Sequence, residues 1–200
     1  SREVWKKMAD LGWLGLVIPE SRGGAGLSFL DMVVLLEEMG RACLTGPFFS
    51  TSVLCALLIL AAGSEQHQKE LLPRIAEGSL ILALALTEPS ASYEASSIVT
   101  AATPEKGMYS LSGTKLFVQD AHVADYFLCV ARTRLWSAPE EGISIFLVDA
   151  TSPGITVTPL ESIAADHQNE IVFDHVMVPP ENLLGELNRG WPVIERLLQQ

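Results

Sequence analysis

The sequence predicts an α+β protein of more than one domain, an all-helical N-terminal domain followed by an antiparallel β-barrel or sandwich. Three observations point there. The hydrophobic period changes from 3.6 to 2 near residue 80. Six or seven short alternating runs follow, separated by Gly, Pro, Asp and Ser. The 200 residues, 48% of them hydrophobic, suffice for one large domain or two small ones. The expected boundaries are 1–79 for the helical domain, 80–186 for the β domain and 187–200 for the start of a further helical domain.

In "SREVWKKMADLGW", Val4, Met8 and Leu11 share one face of a helix. "LGWLGLVIPESRGGAGLS" reads as a glycine-rich loop. "SFLDMVVLLEEMGRA" opens on Ser28 as N-cap with Asp31 three residues on, a carboxylate version of the capping box. Phe29, Met32, Val33, Leu36 and Met39 then follow helical spacing. Pro47 interrupts the chain, and a third helix is expected over about 50–62, ended by Gly63. Ser64 caps a fourth, with Leu71, Leu72 and Ile75 inward. Pro73 lies inside it, so a kink or an early end is expected, and Gly78 stops it.

The strand region contains "LILALAL", "SIVTAA", "MYSLSGTKLFV", "DYFLCVART", "ISIFLVD", "GITVTPL" and "NEIVFDHVMVP". Within "YSLSGTKLFV" a hairpin is expected to turn at Ser112-Gly113. "PPENLLGELNRGWPVIERLLQQ" returns to helix and breaks off at Gln200, as expected of a fragment of a longer protein.

The net charge of -11 argues against a nucleic-acid partner, which needs a basic face. It does not exclude an anionic cofactor held by local N–H donors. Cys43, Cys55 and Cys129 are scattered among apolar residues, so they read as reduced core thiols of a cytoplasmic protein. His67, His122, His167 and His175 lack metal-ligand spacing and read as surface or loop residues. No metal site is expected. The most apolar run, "VLCALLILAA", is roughly half of a bilayer span and reads as a buried helix.

"ALTEP", "YSLSGTKLFV", "ADYFLCVART", "ISIFLVD", "PGITV", "IVFDHVMVPPENLLGE" and "RGW" occur in the order of one family. The sequence resembles the acyl-CoA dehydrogenases over nearly its whole length. The resemblance implies an acyl-CoA dehydrogenase-like fold of helical, β and C-terminal helical-bundle domains, with FAD as cofactor. It implies α,β-dehydrogenation of an acyl-CoA thioester, in which a carboxylate removes the α-proton and flavin N5 takes the β-hydride. Electron-transferring flavoprotein is the implied electron acceptor, and a homo- or hetero-oligomer the implied assembly. One flavin-binding segment falls on Leu84, Ala85, Leu86, Thr87, Glu88, Pro89, Ser90, Ala91 and Ser92; a second falls on Phe117, Val118 and Gln119. Phe117 would pack on the ring. The acyl-CoA side would involve Ser92, Thr133, His167 and Gln168.

Several positions depart from the family pattern. "TEPSASYE" lacks the family's glycine and carries Tyr93 where small residues are usual. The second segment ends in Gln119 instead of Thr or Ser. "AADHQNEIVFD" lacks an arginine and a threonine. The family's catalytic glutamate belongs to the bundle, so no catalytic residue is assigned in this chain. Glu88 reads as a turn residue paired with a backbone donor or a basic side chain. Two further readings accompany the dehydrogenase: a non-catalytic or half-site subunit of a heteromeric dehydrogenase, and a flavin oxidase or monooxygenase on the same fold.

Overall fold

The computed structural model describes residues 2–135, 138–164 and 166–199. Ala165, within the "AADHQNE" stretch, and Gln200, at the chain end, lie outside the described residues. The helices are α1 (Arg2–Asp10), α2 (Phe29–Arg41), a π-helical segment Phe49–Cys55 running into α3 (Ala56–Ala62), and α4 (Glu65–Ala76). The strands follow: β1 (Leu82–Ala85), β2 (Ala101–Glu105), β3 (Met108–Gln119), β4 (Tyr126–Arg132), β5 (Ile143–Asp149), β6 (Ile155–Leu160), β7 (Gln168–Val178) and β8 (Leu183–Leu184). Helix α5 spans Trp191–Leu198.

Local chemistry sets the helix ends. Ser28 accepts from the Asp31 amide while the Asp31 carboxylate takes the Ser28 N–H at 2.9 Å, completing the capping box. Ser64 caps α4 through the His67 amide. Pro73 neither ends nor breaks α4, which continues to Ala76. Gly78 then takes φ +72, and the indole of Trp5 donates to its carbonyl at 2.9 Å, tying α1 to the end of α4. In α1 only Met8 is buried; Val4 is exposed, as is Leu11, which lies just past the end of the helix.

The order of helices and then a sheet holds, but the sheet is mixed and open. Its order is β6-β7-β3-β2-β4-β5-β8, and β1 pairs with β4 in parallel, Leu84 opposite Leu128. The long connection from β1 to β4, which contains the β2–β3 hairpin, permits this parallel pairing. The hairpin turns at Lys106-Gly107, both at positive φ, instead of Ser112-Gly113. "SIVTAA" becomes strand only at Ala101.

Strand alternation divides the core. Leu82, Leu128, Val130, Ile143 and Ile145 pack on Leu58, Ile59, Leu72 and Ile75 of the helices. Ala83, Ala85, Phe127, Cys129 and Phe146 face the other way, onto Leu111, Ile171 and Phe173 of β3 and β7. Strands β4 and β5 are therefore buried on both faces and read as continuous apolar runs. Two expectations change. Cys43 is exposed, whereas Cys55 and Cys129 are buried. His67 is buried in α4, its Nε2 2.8 Å from the Glu181 carbonyl, because α4 is covered there by the segment before β8. No helix among the described residues is long and apolar enough to cross a membrane.

Candidate flavin and thioester cavity

The break after β1 is built around a buried ion pair. Glu88 and Lys115 meet at 2.7 Å with side chains 1% and 0% exposed. The Glu88 carboxylate also accepts from the amides of Val99 at 2.9 Å and Thr100 at 3.0 Å. The buried carboxylate and ammonium thus pair with each other and with backbone groups, the condition under which such a pair is tolerated, whereas the adjacent Thr100 hydroxyl is buried without a partner among the described residues. The sequence predicts either a backbone donor or a basic side chain as the partner of Glu88, and the structure contains both.

Beside this pair lies a cavity of about 430 Å³ between sheet and helices. Leu84, Leu86 and Thr87 reach it from the end of β1, and Phe117 and Gln119 from the end of β3. Phe49, Ser50 and Leu54 close it from the π-helical segment, and Leu197 and Leu198 from α5. The walls are apolar, with a few polar groups left uncommitted. Neither the Thr87 hydroxyl nor the Gln119 carboxamide has a hydrogen-bond partner among the described residues. Gln168, also in the wall, donates from Nε2 to Asp166 at 2.7 Å, while its Oε1 is buried without a partner among the described residues. Such a site suits a flat, largely apolar ring with polar edges, so the residues present fit a flavin.

The remaining candidates are dispersed. Val118 turns its side chain into the sheet core, away from the cavity. Ala91 is exposed at φ +53, and the Ser92 hydroxyl accepts from the Glu94 amide. Thr133 lies beyond the far end of β4, its hydroxyl bonded to Ser144 at 2.7 Å and Asn188 at 2.9 Å. His167 lines a neighbouring cavity of about 230 Å³, which shares Phe49 and Gln119 with the first. Sequence reading missed Phe49, Ser50 and Leu54. Their signal is a row of hydroxyls, Ser50-Thr51-Ser52, buried inside an otherwise apolar helix. It missed Lys115 as well.

The smaller cavity contains a titratable group. Asp120 is buried at φ +55 with its carboxylate 3.3 Å from His167 Nδ1. Burial raises its pKa, opposed by the charges of His167 and His122 and aided by that of Asp166. A carboxyl whose folded pKa lies above its unfolded one loses stability as pH rises through that window. Asp120→Asn is therefore expected to raise the melting temperature at neutral pH. The gap to the unsubstituted protein should close as pH falls toward the ordinary value of 3.8. A gap that is constant with pH, read by thermal melts across this range, would show that Asp120 carries no such penalty.

Two domain models match the chain: acyl-CoA dehydrogenase, N-terminal domain, over residues 1–79, and acyl-CoA dehydrogenase, middle domain, over residues 83–176. The chain belongs to the acyl-CoA dehydrogenase family. It is 33% identical over 198 residues to the short-chain specific acyl-CoA dehydrogenase of Clostridium acetobutylicum, covering 96% of this chain and 52% of that protein. The crystal structure of an acyl-CoA dehydrogenase from Geobacillus kaustophilus superposes with a TM-score of 0.92 at 31% identity, over 100% of this chain and 54% of that one. The ChsE4-ChsE5 complex from Mycobacterium tuberculosis gives 0.89 at 31% identity, over 99% and 51%. The chain thus spans about half the length of these relatives, 52% of the Clostridium dehydrogenase. Members of the acyl-CoA dehydrogenase family are flavoprotein oxidoreductases, and the cavity lies where the matched N-terminal and middle domains meet.

Proposed function

We propose that this chain supplies the flavin- and thioester-facing surface of an FAD-dependent acyl-CoA dehydrogenase. The convergence of Leu84, Leu86 and Thr87 with Phe117 and Gln119 in one cavity carries this reading. When bound, the flavin supplies the acceptor for the β-hydride of the acyl thioester. The chain's own residues bind and orient. Leu84, Leu86 and Phe117 offer apolar surface to the ring, and the uncommitted groups of Thr87 and Gln119 offer hydrogen bonds to its polar edge. Ala91, Ser92 and Val118 would contribute through the backbone. Gln168 faces the same cavity from the acyl-CoA side; His167 and Thr133 would act further along the CoA.

Among the described residues that line this cavity, no side chain carries a carboxylate or an imidazole. The base that takes the α-proton is proposed to come from outside the described lining of this cavity. Electron-transferring flavoprotein is the proposed acceptor. A second reading, the half-site subunit, is favoured by Tyr93, which reaches the cavity where the family keeps small residues. In the whole protein, anaerobic addition of an acyl-CoA is expected to bleach bound flavin. Flavin that binds but is reduced by no acyl-CoA would reject the dehydrogenase. A colourless protein that becomes yellow with Tyr93→Gly plus Gln119→Thr would select the half-site subunit.

A further inference from the structure

We propose that the buried Lys115–Glu88 pair positions Phe117, holding the aromatic ring out in the cavity through a bulge in β3. The inference rests on the flavin-facing reading of that cavity. Strand parity carries it. In a regular strand, residues 115 and 117 share one face and residue 118 takes the other. Here Lys115 is buried, Phe117 is 52% exposed, and Val118 is buried again. The alternation shifts because β3 advances from Lys115 to Val118 while β7 moves only from Ile171 to Asn169. That extra residue is a bulge, a device that re-aims a side chain. It holds Phe117 at φ +56, a backbone region that bulky residues avoid.

A conformation of this kind persists only where its surroundings over-determine it. The end of β1 does so with consecutive contacts. Lys115 Nζ donates to the Leu86 carbonyl at 3.0 Å and to Glu88 at 2.7 Å, and the Leu116 amide donates to the Thr87 carbonyl at 2.9 Å. The two segments that line the cavity are locked to each other immediately beside Phe117. Lys115 itself does not line the cavity. It is a positioning residue, acting on the ligand only through the ring it orients.

FAD affinity of the whole protein, read by flavin fluorescence, tests this in a double-mutant cycle. The variants are Phe117→Ala, the pair variant Glu88→Gln plus Lys115→Met, and all three substitutions together. The pair variant leaves no unpaired buried charge, so it is expected to keep stability that Lys115→Met alone loses. It is expected to weaken FAD binding roughly tenfold in the presence of Phe117, but less than about twofold once Phe117 is Ala. Equal losses in both backgrounds, or none in either, would overturn the positioning role and leave the flavin face standing. If Phe117→Ala alone leaves affinity unchanged, the flavin-face reading fails and this inference with it.

Discussion

Lys115→Met is expected to destabilise the protein by about 3–5 kcal/mol, among the largest effects of any single substitution in the chain. The substitution keeps much of the side-chain volume but leaves Glu88, 1% exposed, without a counter-charge in the interior. The carboxylate retains its bonds from the Val99 and Thr100 amides, which do not neutralise it. Glu88→Gln plus Lys115→Met should regain most of the loss, since a neutral pair of similar shape removes the unpaired charge. Urea unfolding of the two variants checks this. A single variant as stable as the unsubstituted protein would mean that the pair contributes no net charge–charge stabilisation.

Gly113→Ala is expected to cost about 3 kcal/mol, combining backbone strain with a clash. Gly113 takes φ +155, and a Cβ there would lie 2.5 Å from Thr100 Oγ1 and 2.7 Å from Thr100 Cα. The clash is with backbone, so no rotamer change relieves it. Thr100 is also the residue whose amide binds Glu88 at 3.0 Å, so displacing it loosens the support of the cavity. Gly107→Ala is the control. It sits at φ +80 in open space and should cost only the left-handed backbone penalty, about 1 kcal/mol. Equal losses at the two positions in denaturant titrations would remove the packing argument at Gly113.

Much of this architecture is legible before any coordinates. The strands β4, β5 and β7 announce themselves because each buries a regular apolar pattern between turn residues. The starts of α2 and α4 are written in Ser28 with Asp31 and in Ser64, because capping is local chemistry. What escapes is set by tertiary contact. The π-helical segment Phe49–Cys55 breaks the 3.6-residue period, so period analysis cannot place Phe49 and Ser50 on the cavity. The parallel pairing of β1 depends on a strand some 40 residues away. Ser112-Gly113 carries turn chemistry, yet the glycine serves a close approach to Thr100 within a continuous strand, and the turn falls to Lys106-Gly107.

The candidate site divides along the same line. Leu84, Leu86, Thr87, Phe117, Gln119 and Gln168 converge although up to 84 positions separate them, and it was the family resemblance, not their spacing, that grouped them. The resemblance places Val118 and Phe117 in one segment, and as successive residues of β3 they turn to opposite sides, Val118 to the sheet core and Phe117 to the cavity. Lys115 carries no signal at all in the sequence. A lysine in an alternating strand reads as a solvated residue, and its burial follows only from the carboxylate that the β1 end brings to it.

The central claim is that the ends of β1 and β3 together form the flavin face. A crystal structure of the whole protein with FAD bound tests it most directly. The ring is expected in van der Waals contact with Phe117 and Leu86, with the Thr87 hydroxyl or the Gln119 amide bonded to its polar edge. A flavin seated elsewhere, with Phe117 and Thr87 untouched, would contradict it.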